Sequence, residues 1–215
     1  MWGSLYDRLM EPAEQAGLRR WRRELLAGLR GAVLEIGAGT GANLALYPDA
    51  VDRLVLCEPS APMRAKLASR VAQRPRRDVR IVAAPVEALA AGGAGFDAVV
   101  ATLVLCSVPD QRRALAAINR MLRPGGRFVF MEHVAAEPSS NLYRWQRWIE
   151  PLWKRLPGSC HLTRRTESAI AASGLSIEHI RREPIAKTLP LTRVSIRGVA
   201  VKRSCESQRP PGIRS

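Results

Sequence analysis

Lysine is scarce in this chain of 215 residues. Lysines and arginines number 34 against 19 acids, a formal net charge of +15, yet lysine stands only at Lys66, Lys154, Lys187 and Lys202. Arginine in place of lysine, spread along the whole chain beside abundant alanine, is the bias of a GC-rich coding sequence. No recognisable nucleic-acid module accompanies the charge, so nucleic acid is not the expected partner. Cysteine is also sparse. Cys57, Cys106, Cys160 and Cys205 include no CxxC pair, which argues against disulfides and against a zinc site. Cys57 and Cys106 sit in apolar runs and are expected in the core as free thiols. Long hydrophobic runs are missing: the longest, Ala98 to Cys106, is strand-sized, too short to cross a bilayer. The N-terminus "MWGSLYDRLMEP" has no basic start followed by an apolar block, so a cytoplasmic location is expected.

What is present is an alternation of strands and helices. Residues 1–30 read as a helical cap, Leu5 to Leu29, interrupted near Pro12 and Gly17. "AVLEIG", "RLVLCE", "VRIVAA", "FDAVVATLVL" and "RFVFMEHV" read as five apolar strands. Helices are predicted from about Gly41 to Tyr47, over Ala61 to Val71, and from the Asp110 cap to Leu122, where "RPGG" stops the chain. Strands that are apolar on both faces indicate a parallel sheet covered on both sides, which binds ligands beyond the carboxyl ends of its strands. Residues 31–203 then form the main domain. Asn141 to Leu156 is a predicted helix with tryptophans at helical spacing, inside a lid spanning about 140–173. It is expected to pack on the sheet and cover an acceptor site, with an interfacial membrane anchor as the alternative. "LSIEHI" and "RVSIRGVAVK" are two late strands, the second with a bulge suggested at Gly198. Residues 204–215 read as a disordered tail.

The informative stretch is "LEIGAGTGAN". Glycines there allow positive φ and let backbone approach a ligand closely. Glu58 ends the second strand 17 residues beyond Gly41, where a carboxylate can accept from a ribose diol. "GAGTG" lacks the third glycine of the dinucleotide pattern, which disfavours a pyrophosphate and an NAD(P)-dependent oxidoreductase. Met63 follows as a soft surface for an adenine face.

"VLEIGAGTGANL", "LCEPS" with Met63, "FDAVVATLVLCSVPD" and "LRPGGRFVFMEHV" resemble, in order, the motifs of class I S-adenosylmethionine-dependent methyltransferases with a type-11 methyltransferase domain. Together with "CHLTR", they are closest to the methyltransferase-like proteins that methylate alkyl thiols and to their bacterial relatives. The resemblance implies a Rossmann-like α/β fold with a seven-stranded, mostly parallel sheet, helices on both faces and an antiparallel last strand. It implies S-adenosyl-L-methionine as cofactor, with Glu35 near its ammonium, Gly37, Ala38, Gly39 and Gly41 along its methionine and ribose, and Glu58 on the ribose hydroxyls. Pro59 and Met63 would flank adenine, and Thr102 and Leu103 would face the sulfonium. Relatives often carry an acid after strand three; here Pro85 holds that position, which leaves Val86 and Glu87 for the adenine amino group. Animal members begin with a hydrophobic anchor that has no counterpart in this sequence.

Methyl transfer from a sulfonium is an in-line displacement, so alignment and water exclusion carry most of the catalysis. A thiol acceptor, with a pKa of about 8.5, needs no strong base. His133 is the one candidate base, and Tyr6, Trp145, Cys160 and His161 are candidates for the acceptor site. The expected acceptor is small or amphiphilic, a thiol on the strength of the resemblance. Peripheral membrane contact is compatible with this reading, no metal is expected and no partner protein is implied. An RNA methyltransferase is the charge-based alternative, but no "[DN]PP[YF]" segment follows strand four.

Overall fold

The computed structural model describes residues 2–74, 78–89, 95–155 and 160–203. Leu156 and the segment 204–215, read above as helix end and tail, lie outside them. Five strands, β1 (Ala32–Ile36), β2 (Arg53–Cys57), β3 (Val79–Val82), β4 (Phe96–Thr102) and β5 (Leu122–His133), run parallel. With β6 (Leu175–Pro184) and β7 (Val194–Lys202) they form one seven-stranded sheet in the order β3-β2-β1-β4-β5-β7-β6, and β7 is antiparallel to both its neighbours. The expected fold is therefore observed. The order reverses between β1 and β4, the place where such sheets leave a crevice for a ligand.

Helices α3 (Ala61–Gln73), α4 (Val86–Leu89), α5 (Gln111–Met121) and α7 (Thr166–Ala171) connect the strands. Asp110 caps α5 as its position predicts, its carboxylate accepting from the Arg112 and Arg113 N–H groups. The N-terminal cap is α1 (Trp2–Ala13), a π-helical turn over Glu14–Leu18, and α2 (Arg19–Leu26); the kink falls at Gly17, whose φ is +155°. α2 is tied to the sheet by Arg197 on β7. Its guanidinium stacks 4.8 Å from the Trp21 ring and donates to Glu24 at 2.7 Å.

Three expectations need correction. No α-helix follows the glycine loop: residues 41–43 are turn and only Leu44–Leu46 is helical, as a 3₁₀ turn, because three left-handed glycines and Pro48 leave too few residues for an α-turn to propagate. The bulge lies on β6, between Ile177 and His179, opposite the late strand rather than in it. Gly198 marks a close backbone approach instead, since a Cβ there would come within 2.2 Å of the His179 carbonyl oxygen. Helix α6 (Asn141–Trp153) divides its apolar stripe: Leu142, Ile149 and Trp153 are half-buried, but Trp145, Trp148 and Leu152 are exposed, and Gln146 is the residue it buries. The Gln146 amide accepts from the Ala136 N–H and donates to the Leu191 carbonyl, both at 2.8 Å, and these two bonds set the helix's rotation.

Candidate active site

The loop after β1 turns on Gly37, Gly39 and Gly41, with φ of 59°, 58° and 90°. A Cβ on Gly37 would lie 2.2 Å from Val104 Cγ2, so the loops after β1 and β4 touch only because the first is bare. Beside them opens a cavity of about 390 Å³, lined by residues 37–42, Glu35, Thr102 and, from the N-terminal cap, Tyr6, Met10, Glu14 and Arg22. That is within the size range of small-molecule sites.

The cavity has two poles. Glu35, the penultimate residue of β1, is buried and accepts from Asn43 Nδ2 at 2.9 Å and the Tyr47 hydroxyl at 2.8 Å. Burial pushes its carboxyl up to about 7 in spite of those two bonds. Arg22 is only 4% exposed; its guanidinium donates to Glu14 at 2.9 Å, to Asn43 Oδ1 at 3.0 Å and to the Thr102 hydroxyl at 2.8 Å. A buried carboxylate and a buried guanidinium on one cavity wall suit a zwitterion, an ammonium for the first and a carboxylate for the second. Arg22 escaped the sequence reading although a signal exists: Leu18, Arg22, Leu26 and Leu29 share one helical stripe, and an arginine on an apolar stripe needs a buried partner.

Helix α1 closes over the loop. The Asp7 carboxylate accepts from the Thr40 hydroxyl at 2.6 Å and from Arg70 at 2.7 Å, and pairs with Lys66 at 2.6 Å. Burial opposes ionisation there, but the bonds from Lys66 and Thr40 and the Arg70 charge outweigh it and lower the pKa. Burial pushes the Tyr6 phenol up to about 12, against the Arg22 charge; the Cys106 thiol is near enough to add to the rise.

The residues expected on ribose and adenine stand apart from this cavity wall. Glu58 is buried and accepts from the Gly39 and Ser60 N–H groups, both at 2.8 Å, so its carboxylate is locked to the glycine loop. Pro59 is exposed, Met63 and Glu87 are half-buried and Val86 is buried; none of them lines the cavity. Leu103 adopts φ of 59°, a left-handed turn costing about 1–2 kcal/mol for such a residue. It packs against the cap around Trp21 and Met131 instead of the cavity.

Beyond β4 and β5 a second cluster assembles. Glu132, fully buried, accepts from the Val104, Leu105 and Cys106 N–H groups at 3.1, 3.0 and 3.2 Å. Burial pushes its carboxyl up to about 7 against those donors. The His161 N–H donates to the Cys106 carbonyl at 2.7 Å, which carries Cys160 to Cys106. The Cys160 sulfur lies 3.6 Å from His133 Nδ1, and His133 Nε2 lies 3.3 Å from the Leu191 carbonyl oxygen. Cys106 pushes the Cys160 thiol down by hydrogen bonding, with His133 adding to the effect. The same contact and burial push Cys106 up. His133 is buried with both ring nitrogens facing protein partners. The His161 imidazole pairs with Glu150 at 3.3 Å; burial lowers its pKa. Trp145 is remote from the cavity, on a shallow groove with Asn141, Arg144 and Trp148.

Comparison with known proteins gives one direction. Residues 34–130 match the methyltransferase domain family. Human thiol S-methyltransferase TMT1A is 39% identical over 176 residues, covering 80% of this chain and 70% of that protein. Human thiol S-methyltransferase TMT1B is 36% identical over 205 residues, covering 90% and 83%. Among solved structures, a geranyl diphosphate methyltransferase in complex with S-adenosylmethionine superposes with a TM-score of 0.67 at 15% identity, over 88% of this chain and 85% of that one.

Proposed function

The chain belongs to the S-adenosylmethionine-dependent methyltransferases, and from that premise we propose that it methylates the sulfur of a small thiol. The cofactor supplies a methyl group on a positively charged sulfur, open to in-line displacement. The protein's own residues bind and align. Glu35 takes the ammonium of the amino-acid arm and Arg22 its carboxylate, while residues 37–41 offer bare backbone and Thr102 closes the wall. Glu58 has one backbone N–H on each oxygen and lone pairs left for the ribose hydroxyls. Pro59, Met63, Val86 and Glu87 form the adenine side. Asp7 draws α1 over the loop, placing Tyr6 between the cavity and the Cys106 cluster and excluding water.

The observation that carries the cofactor assignment is the pair of buried opposite charges on one cavity wall. Among the described residues no cation hydrogen-bonds to Glu35, burial lifts its pKa against the nearby Arg22 charge, and a bound ammonium would reverse that lift. The thiol acceptor draws support from the two relatives named for that activity. A radiolabelled-methyl screen over thiols, phenols, amines and phospholipids tests it. Label in alkyl thiols is expected; label in phenols or amines with thiols blank contradicts it.

A second reading concerns location. Among the described residues no helix is long and apolar enough to cross a membrane. Helix α6 nevertheless exposes Trp148 to 75% and Leu152 to 67%, beside exposed Arg144, Arg147, Lys154 and Arg155. Aromatic residues interleaved with cations suit an anionic phospholipid surface. Co-sedimentation with anionic vesicles, lost in Trp145→Ala/Trp148→Ala, is the expected result; equal sedimentation of the variant contradicts it.

A further inference from the structure

Cys106 lies in the loop after β4, His133 at the end of β5 and Cys160 beyond α6, and one ligand atom of each lies within 4.8 Å of the others. No sequence spacing could announce such a set, because the fold, not the chain order, assembles it. His133 shows how the set is arranged. A carbonyl oxygen only accepts, so Nε2 carries the proton that reaches Leu191, and once Nδ1 gives up any proton it shares with the Cys160 sulfur its lone pair faces the cluster. A ligating histidine is commonly fixed this way, with its remote N–H on a backbone carbonyl. Gln146 holds that same carbonyl in place at 2.8 Å.

The distances fit one metal geometry. Tetrahedral zinc, with sulfur at about 2.3 Å and nitrogen at about 2.0–2.1 Å, sets a sulfur–nitrogen edge of about 3.6 Å and a sulfur–sulfur edge of about 3.8 Å. The Cys160–His133 separation is 3.6 Å. The widest separation in the cluster, at most 4.8 Å, needs to close by about 1 Å. Two thiolates also neutralise a divalent cation, and soft sulfur ligands favour zinc over magnesium or calcium. Glu132 keeps Cys106 in position through three N–H groups, and His161 ties the Cys160 loop to the same residue.

We propose that Cys106, His133 and Cys160 form a zinc site with three protein ligands and an open fourth position that takes the sulfur of the acceptor. Three protein ligands with an open position is the pattern of catalytic rather than structural zinc. On binding, the acceptor's S–H bond breaks, its proton leaves with the displaced water, and a zinc–sulfur bond forms without change of oxidation state. The open-position clause rests on the thiol reading above; the metal site itself does not.

The test uses the full chain, kept reduced and stripped of metal, titrated with zinc against a chromophoric chelator and separately with cobalt. One equivalent of zinc with sub-micromolar affinity and a thiolate-to-cobalt charge-transfer band are expected. Cys160→Ser and His133→Gln should each weaken zinc binding at least ~100-fold. Cofactor-induced thermal shift confirms that each variant remains folded. A folded chain that binds no equivalent of zinc, or whose binding survives Cys160→Ser, overturns the site. Added alkyl thiol should shift the cobalt spectrum. An unshifted spectrum, or undiminished thiol methylation by zinc-free protein, overturns the open position. Zinc binding with no thiol methylated supports the metal site and counts against the thiol acceptor.

Discussion

Glu35 and Glu132 are the penultimate residues of β1 and β5, on either side of β4, and burial lifts both carboxyls to about 7. They differ in what holds them. Glu35 is gripped by the side chains of Asn43 and Tyr47 and looks into the cavity. Glu132 is gripped by three successive backbone N–H groups and fixes residues 104–106. Glu35 therefore faces the cavity with its proposed ligand cation, whereas Glu132 spends both oxygens on the loop it holds. The same residue type thus lines a cavity on one side of β4 and fixes a loop on the other.

The harshest way to break this comparison is Glu132→Ala. It leaves three N–H groups without their acceptor, at roughly 1–3 kcal/mol each, so a fall in melting temperature of about 10 °C or more is expected by circular dichroism. An unchanged melt would place Glu132 with Glu35 as a binding group. Glu35→Gln keeps the shape and removes the charge. Cofactor affinity should drop about 10–100-fold by calorimetry, with the cofactor-free melt held within about 2 °C.

Acid titration sharpens the contrast further. A carboxyl raised in the fold binds its proton more tightly there than in the unfolded chain, so its contribution is present below about pH 4.5 and is lost as pH rises through about 7. Cofactor-free stability should therefore fall across that window, and Glu35→Gln should make the slope shallower. A slope identical in the variant would mean Glu35 is not titrating. The smallest effect is expected at Asp7, whose pairs with Lys66 and Arg70 are partly exposed. Asp7→Asn should cost less than about 1 kcal/mol and weaken cofactor binding less than about fivefold, with faster hydrogen exchange across α1.

Local chemistry made the strands and the glycine loop readable: apolar runs bounded by turn residues, then glycines that only a left-handed turn requires. Glu35, Gly37, Ala38, Gly39, Gly41 and Thr102, picked out in the sequence, do converge on one cavity. What stayed hidden depended on long-range assembly. Arg22 is one of many arginines spread along the chain until Thr102, eighty residues away, accepts a hydrogen bond from it. Trp145 and Trp148 are read as part of a helix that packs on the sheet and covers an acceptor site, until the two bonds of Gln146 turn them to the surface. The Cys106–His133–Cys160 cluster leaves no spacing signature, because one strand end and two loops supply it.

The bipolar pocket is tested most directly by titrating S-adenosylmethionine and its decarboxylated analogue into the unmodified protein and Arg22→Met. Arg22→Met should weaken S-adenosylmethionine about tenfold or more while leaving the analogue's affinity within about twofold, since only the former carries the carboxylate. Equal losses for both ligands, or no loss for either, would contradict the assignment of Arg22 to that carboxylate.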